Sequence, residues 1–158
     1  MGKVVILLAS KADLEHCQKM AKFLKKMDVP YVMRVGSAHK VPTQVLKIVK
    51  QYENENVVFI TVAGRSNALS GFVDANTSRP VIACPPYSEK FGGTDLFSSI
   101  RMPSGVCPML VLEAEDAALA AMKILGVQDA QILEAVSKYR EEKKKILEQD
   151  DLEISKNG

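Results

Sequence analysis

Residues 57–62 read Val-Val-Phe-Ile-Thr-Val, a run in which every side chain is apolar or β-branched and no charge interrupts. A strand with one wet face shows a polar residue at every second position, so a run without them belongs inside a sheet covered on both sides, as parallel sheets are. Val4-Val5-Ile6-Leu7-Leu8 has the same character, and Tyr31–Val35, Val81–Cys84 and Val106–Leu112 read as three further strands. Pro108 falls near the start of the last one, where a missing donor is tolerable. Helical patterns lie between them. Leu14, Cys17, Met20, Ala21, Leu24 and Met27 recur at helical spacing, as do Val45, Leu46, Ile48, Val49 and Tyr52 behind Pro42. Asp116–Leu125 is Ala-rich and closed by Gly126. Alternating strands and helices predict an α/β domain around a parallel sheet, and right-handed crossovers narrow its order to the flavodoxin-like 2-1-3-4-5.

The chain of 158 residues is 47% hydrophobic, enough for one sizeable core, and reads as a single domain, 1–158, with its core at about 3–126. A last pattern at about 129–149 carries Ile132, Leu133, Val136, Tyr139, Ile146 and Leu147. It predicts a helix longer than one domain needs, suited to contact with another subunit, and the tail from Asp150 to Gly158 is expected to fray. A net charge of +2 gives no global electrostatic case for nucleic acid or membrane. The first apolar run is too short to span a bilayer. Cys17, Cys84 and Cys107 are odd in number, lack C-x-x-C spacing and sit in apolar patterns. They read as buried, reduced thiols of a cytoplasmic protein with no metal site.

In an open parallel sheet the ligand lies outside the carboxyl ends of the strands, near the switch point between the first and third. The loops that leave there carry Ser10 and Asp13, then Ser37, His39 and Lys40, then Arg65 and Ser66. His39 is the most suggestive of them, because an imidazole with an ordinary pKa of about 6.5 can both take and give a proton near neutrality. The hydroxyls and cations around it offer an anion a place to sit. Ser10 and Asp13 also read as a helix start, a role compatible with anion binding. Gly64 and Gly71 would let backbone approach a ligand closely. In the long Tyr87–Gly105 segment, Asp95 and Arg101 are open to two readings, reaching the site or capping and pairing locally. His16, inside the first helix pattern, is expected on the helix surface.

At these residues the sequence resembles the PurE aminoimidazole ribonucleotide (AIR) carboxylases of purine biosynthesis, in their class II form. The resemblance rests on Ser37-Ala38-His39-Lys40, on Ala63-Gly64-Arg65-Ser66-Asn67 and on Ile82-Ala83-Cys84-Pro85-Pro86. Gly93-Thr94-Asp95, Ser98-Ser99 and Arg101–Gly105 also match, and the likeness covers roughly residues 3–126. It implies a three-layer α/β homo-octamer with sites between subunits, joining AIR to carbon dioxide reversibly without metal, biotin or ATP. Carried over by position, His39 would be the proton shuttle, Ser10 and Asp13 would hold the ribose-phosphate side, Lys40 the phosphate, and Ser66 the carbon dioxide pocket. Class I members, which move a carboxylate from ring amine to ring carbon, usually have arginine in place of Lys40 and a glycine-alanine-rich loop in place of residues 65–67.

Two departures accompany the match. The family's first loop usually reads Gly-Ser-x-Ser-Asp, whereas Ala9 and Ala12 stand here at the glycine and the second serine. Losing that hydroxyl would cost substrate binding about 0.5–1.5 kcal/mol unless Lys11 compensates. Val41 replaces the usual small hydroxyl residue before Pro42 and so removes a helix cap. Three other readings therefore stand beside the leading one: a slow or non-catalytic nucleotide- or sugar-phosphate-binding relative, a class I mutase, and a flavodoxin-like electron carrier. The last is disfavoured by the lack of Trp and the scarcity of rings to stack on a flavin.

Overall fold

The computed structural model describes residues 1–157. In chain order the elements are β1 (Lys3–Leu8), a 3-10 turn at Lys11–Asp13, α1 (Leu14–Lys26), β2 (Tyr31–Val35), α2 (Pro42–Gln51), β3 (Val57–Val62) and α3 (Ala68–Asp74). They continue with β4 (Val81–Ala83), two further 3-10 turns, α4 (Phe97–Ile100), β5 (Met109–Leu110), α5 (Ala114–Gly126) and α6 (Ala130–Asn157). All strand pairs are parallel and the order is β2-β1-β3-β4-β5. The unbroken apolar runs of β1 and β3 therefore occupy the interior of the sheet, as their composition requires.

Alternation along these strands feeds two cores. Val4, Ile6, Leu8, Val58, Ile60 and Val62 pack under α1, α5 and the first turns of α6. Val5, Leu7, Val57 and Phe59 pack under α2 and α3. Each fully buried aliphatic or aromatic side chain of this kind contributes about 1.5–3 kcal/mol. The result is helix layer, sheet, helix layer.

The structure corrects several expectations. β5 is only Met109–Leu110, not Val106–Leu112, because the first residues of that run bond elsewhere: Val106 N donates to the Pro103 carbonyl and Cys107 N to Asp74 Oδ2 at 2.7 Å. Cys107 is exposed for the same reason, while Cys17 and Cys84 are buried as expected. Residues 68–74, not read as an element from sequence because only one short turn of apolar spacing (Leu69, Phe72, Val73) stands among small residues, form α3, its start capped by Asn67 Oδ1 accepting from Ser70 N. Gly71 serves packing in that helix, since a Cβ there would lie 2.9 Å from Met102 Sδ. Gly126 does not stop α5 by a left-handed turn; it is the helix's last residue and leaves room for the Leu133 backbone, 3.2 Å from where its Cβ would be.

The last helix runs through Asn157, so residues 150–157 are helical where fraying was expected, and Gly158 lies outside the described residues. At 28 residues α6 is about 42 Å long. Only its beginning belongs to the domain. Ile132 and Val136 are buried, and Tyr139 meets Phe23 edge to face at 5.1 Å between centroids. Farther on, Ile146, Leu147, Leu152 and Ile154 are 50–72% exposed. No helix among the described residues is long and apolar enough to cross a membrane.

This division of α6 gives a direct expectation. Ile132→Ala removes a side chain that is 1% exposed, and should lower unfolding stability by about 2–5 kcal/mol in urea titration.

Candidate active site

Strand register decides where the three loops begin. Leu8 pairs with Val35 on one side and Val62 on the other, so Ser10, Ser37 and Gly64 each follow by two residues from one level of the sheet. Adjacent strands lie about 4.8 Å apart, and the three exits therefore span about 10 Å. Ladder bonds carry this order into the loops: Ala9 N donates to the Val62 carbonyl and Gly36 N to the Leu8 carbonyl, both at 2.9 Å.

Each loop has its own internal scaffold. In the first, Ser10 and Asp13 form a reciprocal cap: Ser10 Oγ accepts from Ala12 N at 3.2 Å, and Asp13 Oδ2 accepts from both Ser10 N and Ser10 Oγ. Ser10, Lys11 and Ala12 remain exposed, so this cap holds a polar turn open to solvent. In the second, Ser37 Oγ accepts from Lys40 N at 3.3 Å and the Ser37 carbonyl accepts from Val41 N at 2.9 Å. That closed turn puts His39 at its apex, where His39 and Lys40 are exposed and the imidazole makes no hydrogen bond among the described residues. Val41 precedes α2 without a side-chain cap, as its apolar side chain dictates, and Pro42 takes the first helical position.

The third loop is held from outside itself. Arg65 has φ +62, a left-handed conformation costly for a residue with a Cβ. Asp95 Oδ2 accepts from its N–H at 2.9 Å, and Ser98 Oγ directs its proton between the Arg65 carbonyl at 2.9 Å and the Asp95 carbonyl at 2.8 Å. Buried Asn67 ties the same loop to α4 and to β3: its Nδ2 donates to Ser99 Oγ at 2.8 Å, its Oδ1 accepts from Ser70 Oγ, and Ser70 Oγ pairs with Thr61 Oγ1 at 2.8 Å. Ser66 lies between the anchored residues with its side chain exposed. Lys11, Lys40 and Arg65 form no ion pair among the described residues, so three cations on one edge are available to an anion.

His16 departs from the surface position its spacing suggests. His16 is half-buried, with Nε2 3.3 Å from Cys84 Sγ, and it packs the first turn of α1 against the exit of β4. Its spacing from Leu14 suggests a surface position, but only the fold brings Cys84 beside it. Burial, then the charge of Lys19, holds the His16 pKa below its ordinary value, against the opposite pull of Glu113 and Asp13. Burial pushes the Cys84 and Cys17 thiols up to about 12, so neither is a nucleophile near neutrality. The neighbouring cleft of about 340 Å³ is lined by His16, Lys19, Glu113, Glu115 and Asp116, whose three carboxylates are the wrong sign for a phosphate.

The AIR carboxylase family model matches residues 3–146. The chain belongs to the AIR carboxylase family. It is 59% identical over 152 residues to the phosphoribosylaminoimidazole carboxylase of Archaeoglobus fulgidus, covering 96% of this chain and 84% of that one. The Treponema denticola protein of the same description is 47% identical over 150 residues, 93% of this chain and 94% of its own. A crystal structure of Treponema denticola PurE superposes with a TM-score of 0.94 at 44% identity, covering 97% of this chain and 98% of that one. This AIR carboxylase family member thus shares the three-layer sheet order and the long last helix with a solved relative.

For His16 the sign of the pH effect follows from its lowered pKa. Below about pH 6.5 the unfolded chain takes up a proton that the folded chain resists, so stability is lost as pH falls. His16→Gln should therefore show a smaller drop in urea midpoint between pH 7.5 and 5 than the parent protein; an equal drop would assign the slope to other groups.

Proposed function

We propose that this protein is a phosphoribosylaminoimidazole carboxylase of the class II kind, joining AIR to carbon dioxide to give 4-carboxy-AIR, reversibly, in purine biosynthesis. The observation that carries the reading is the register of β2, β1 and β3, which starts the Ser10, Ser37 and Gly64 loops at one level with an imidazole and three cations that are unpaired among the described residues. The family and the names of its relatives agree with it.

The chemistry suits such an edge. An aminoimidazole ring is an electron-rich enamine, so its carbon can form the new C–C bond to carbon dioxide once the two are held together. The π electrons of carbon dioxide move to oxygen and become a carboxylate. The proton on the attacked ring carbon then leaves to His39, and the ring regains its aromaticity. In reverse, the imidazolium returns that proton and carbon dioxide departs. The nucleophile is the substrate's own carbon, so the reaction asks for no resident cofactor. Ser10 and Asp13 are assigned to the ribose-phosphate side, Lys40 to the phosphate, and Ser37, Arg65 and Ser66 to the ring and the carboxylate. Lys40 and the Arg65-Ser66-Asn67 run support the carbon dioxide branch over the mutase branch. Lys11, exposed beside Ala12, is the cation available to replace the missing hydroxyl.

His39→Asn should lower carboxylation and decarboxylation at least 100-fold while leaving the fold unchanged. The assay supplies AIR with carbon dioxide and no ATP; a variant keeping a tenth of parental activity would remove His39 from the mechanism. Rapid conversion of the ring-amine carboxylated isomer, with negligible use of carbon dioxide, would instead place the chain with the mutases.

Assembly belongs to the same proposal: a cytoplasmic homo-octamer in which the exposed Ile146, Leu147, Leu152 and Ile154 of α6 meet another subunit. Light scattering at micromolar concentration should give an octameric mass. A monomer there would reject it.

A further inference from the structure

We infer that Asp95 is a positioning residue for Ser66, acting by holding the backbone of Arg65 in its left-handed conformation. The inference rests on the functional reading of Ser66 given above and adds a residue to it. Among the described residues, two non-glycine residues have positive φ, Asp28 and Arg65. Asp28 stands just past the end of α1, where a left-handed residue is the ordinary way to close a helix. Arg65 has no such excuse. The adjacent glycine, Gly64, has no positive φ and its missing Cβ would meet only ordinary contacts, 3.7 Å or more away. The loop therefore places an arginine where glycine would be relaxed, and something must hold it there.

The holding groups come from a segment thirty residues later. Asp95 Oδ2 accepts from Arg65 N, and Ser98 Oγ bonds the Arg65 carbonyl and accepts from Asn67 N, each at 2.9 Å. Residues 65 and 67 are thus pinned on both sides of Ser66, whose side chain stays exposed. Asp95 forms no ion pair among the described residues; its charge goes to the backbone N–H and leaves the Arg65 guanidinium free. A carboxylate acceptor makes this the strongest bond in the loop, and losing it lets residue 65 relax toward negative φ.

The test compares Asp95→Ala, Asp95→Asn and Ser66→Ala with the double variant Asp95→Ala/Ser66→Ala. Asp95→Ala should lower kcat for AIR carboxylation by about tenfold or more, with KM for AIR changed less. Asp95→Asn keeps a side-chain oxygen for the Arg65 N–H and should restore most of that loss. The losses should not multiply in the double variant, because Asp95 acts through the loop that carries both Ser66 and the Arg65 side chain. Hydrogen exchange at the Arg65 amide should quicken in Asp95→Ala and return toward parental in Asp95→Asn, substrate or none. Parental kcat in Asp95→Ala, losses that multiply in the double variant, or unchanged Arg65 exchange would each overturn the inference. If Asp95→Ala does not fold, Ser98→Ala takes its place, with Asn67 exchange as the readout. A parent protein inactive on AIR defeats the functional reading alone, and amide exchange then decides the loop by itself.

Discussion

The in-register parallel ladder of β2, β1 and β3 is the constraint on which the rest depends. β1 and β3 are buried on both faces, so these strands can place no reactive group along their length without leaving it dry and unpaired. Thr61 is the exception and is satisfied within the core by Ser70 and the Ile82 carbonyl. Chemistry is pushed to the strand exits, and the shared level of Leu8, Val35 and Val62 gathers those exits on one edge. The candidate site residues stand where the backbone first regains access to water.

The three loops solve the problem of order differently. The Ser10 and Ser37 turns are closed by their own side chains and backbone, so their geometry is local. The Arg65 loop depends on Asp95, Ser98 and Ser99 from the far side of β4. The left-handed Arg65 takes its bonds from a distant segment, whereas the Ser-based cap and turn take theirs from within.

What was legible in the sequence follows the same line. The five strands, their order and the candidate loops could be read because hydrophobic period and short-range caps are written locally, as at Val57–Val62 or Ser10–Asp13. The parts that were misread depend on long-range partners. Cys107 looks buried in its apolar run, yet Asp74 takes its N–H and turns that stretch out of the sheet. His16 looks like a surface residue until β4 delivers Cys84 to it. α3 offers only one turn of apolar spacing, Leu69, Phe72 and Val73, and begins where Asn67 caps it from within a buried polar network. The C-terminal end stays helical through Asn157, and ion pairs at Glu134–Lys138 and Glu141–Lys144 support the same helix earlier along it.

The position of α5 has a consequence for synthesis. Val4, Ile6, Val58 and Ile60 share one face of the sheet, and Ala117, Ala118, Ala121 and Met122 of α5 belong to the core that covers it. Those strands leave the ribosome early, while residues 114–126 come from the last third of the chain. At translation rates of about 5–20 residues per second, the part of this face that α1 does not cover stays bare for several seconds after β3 has emerged. During that interval the nascent chain presents a sticky, half-built sheet. Chains that end before α5 should be clients of chaperones or of aggregation rather than small folded domains.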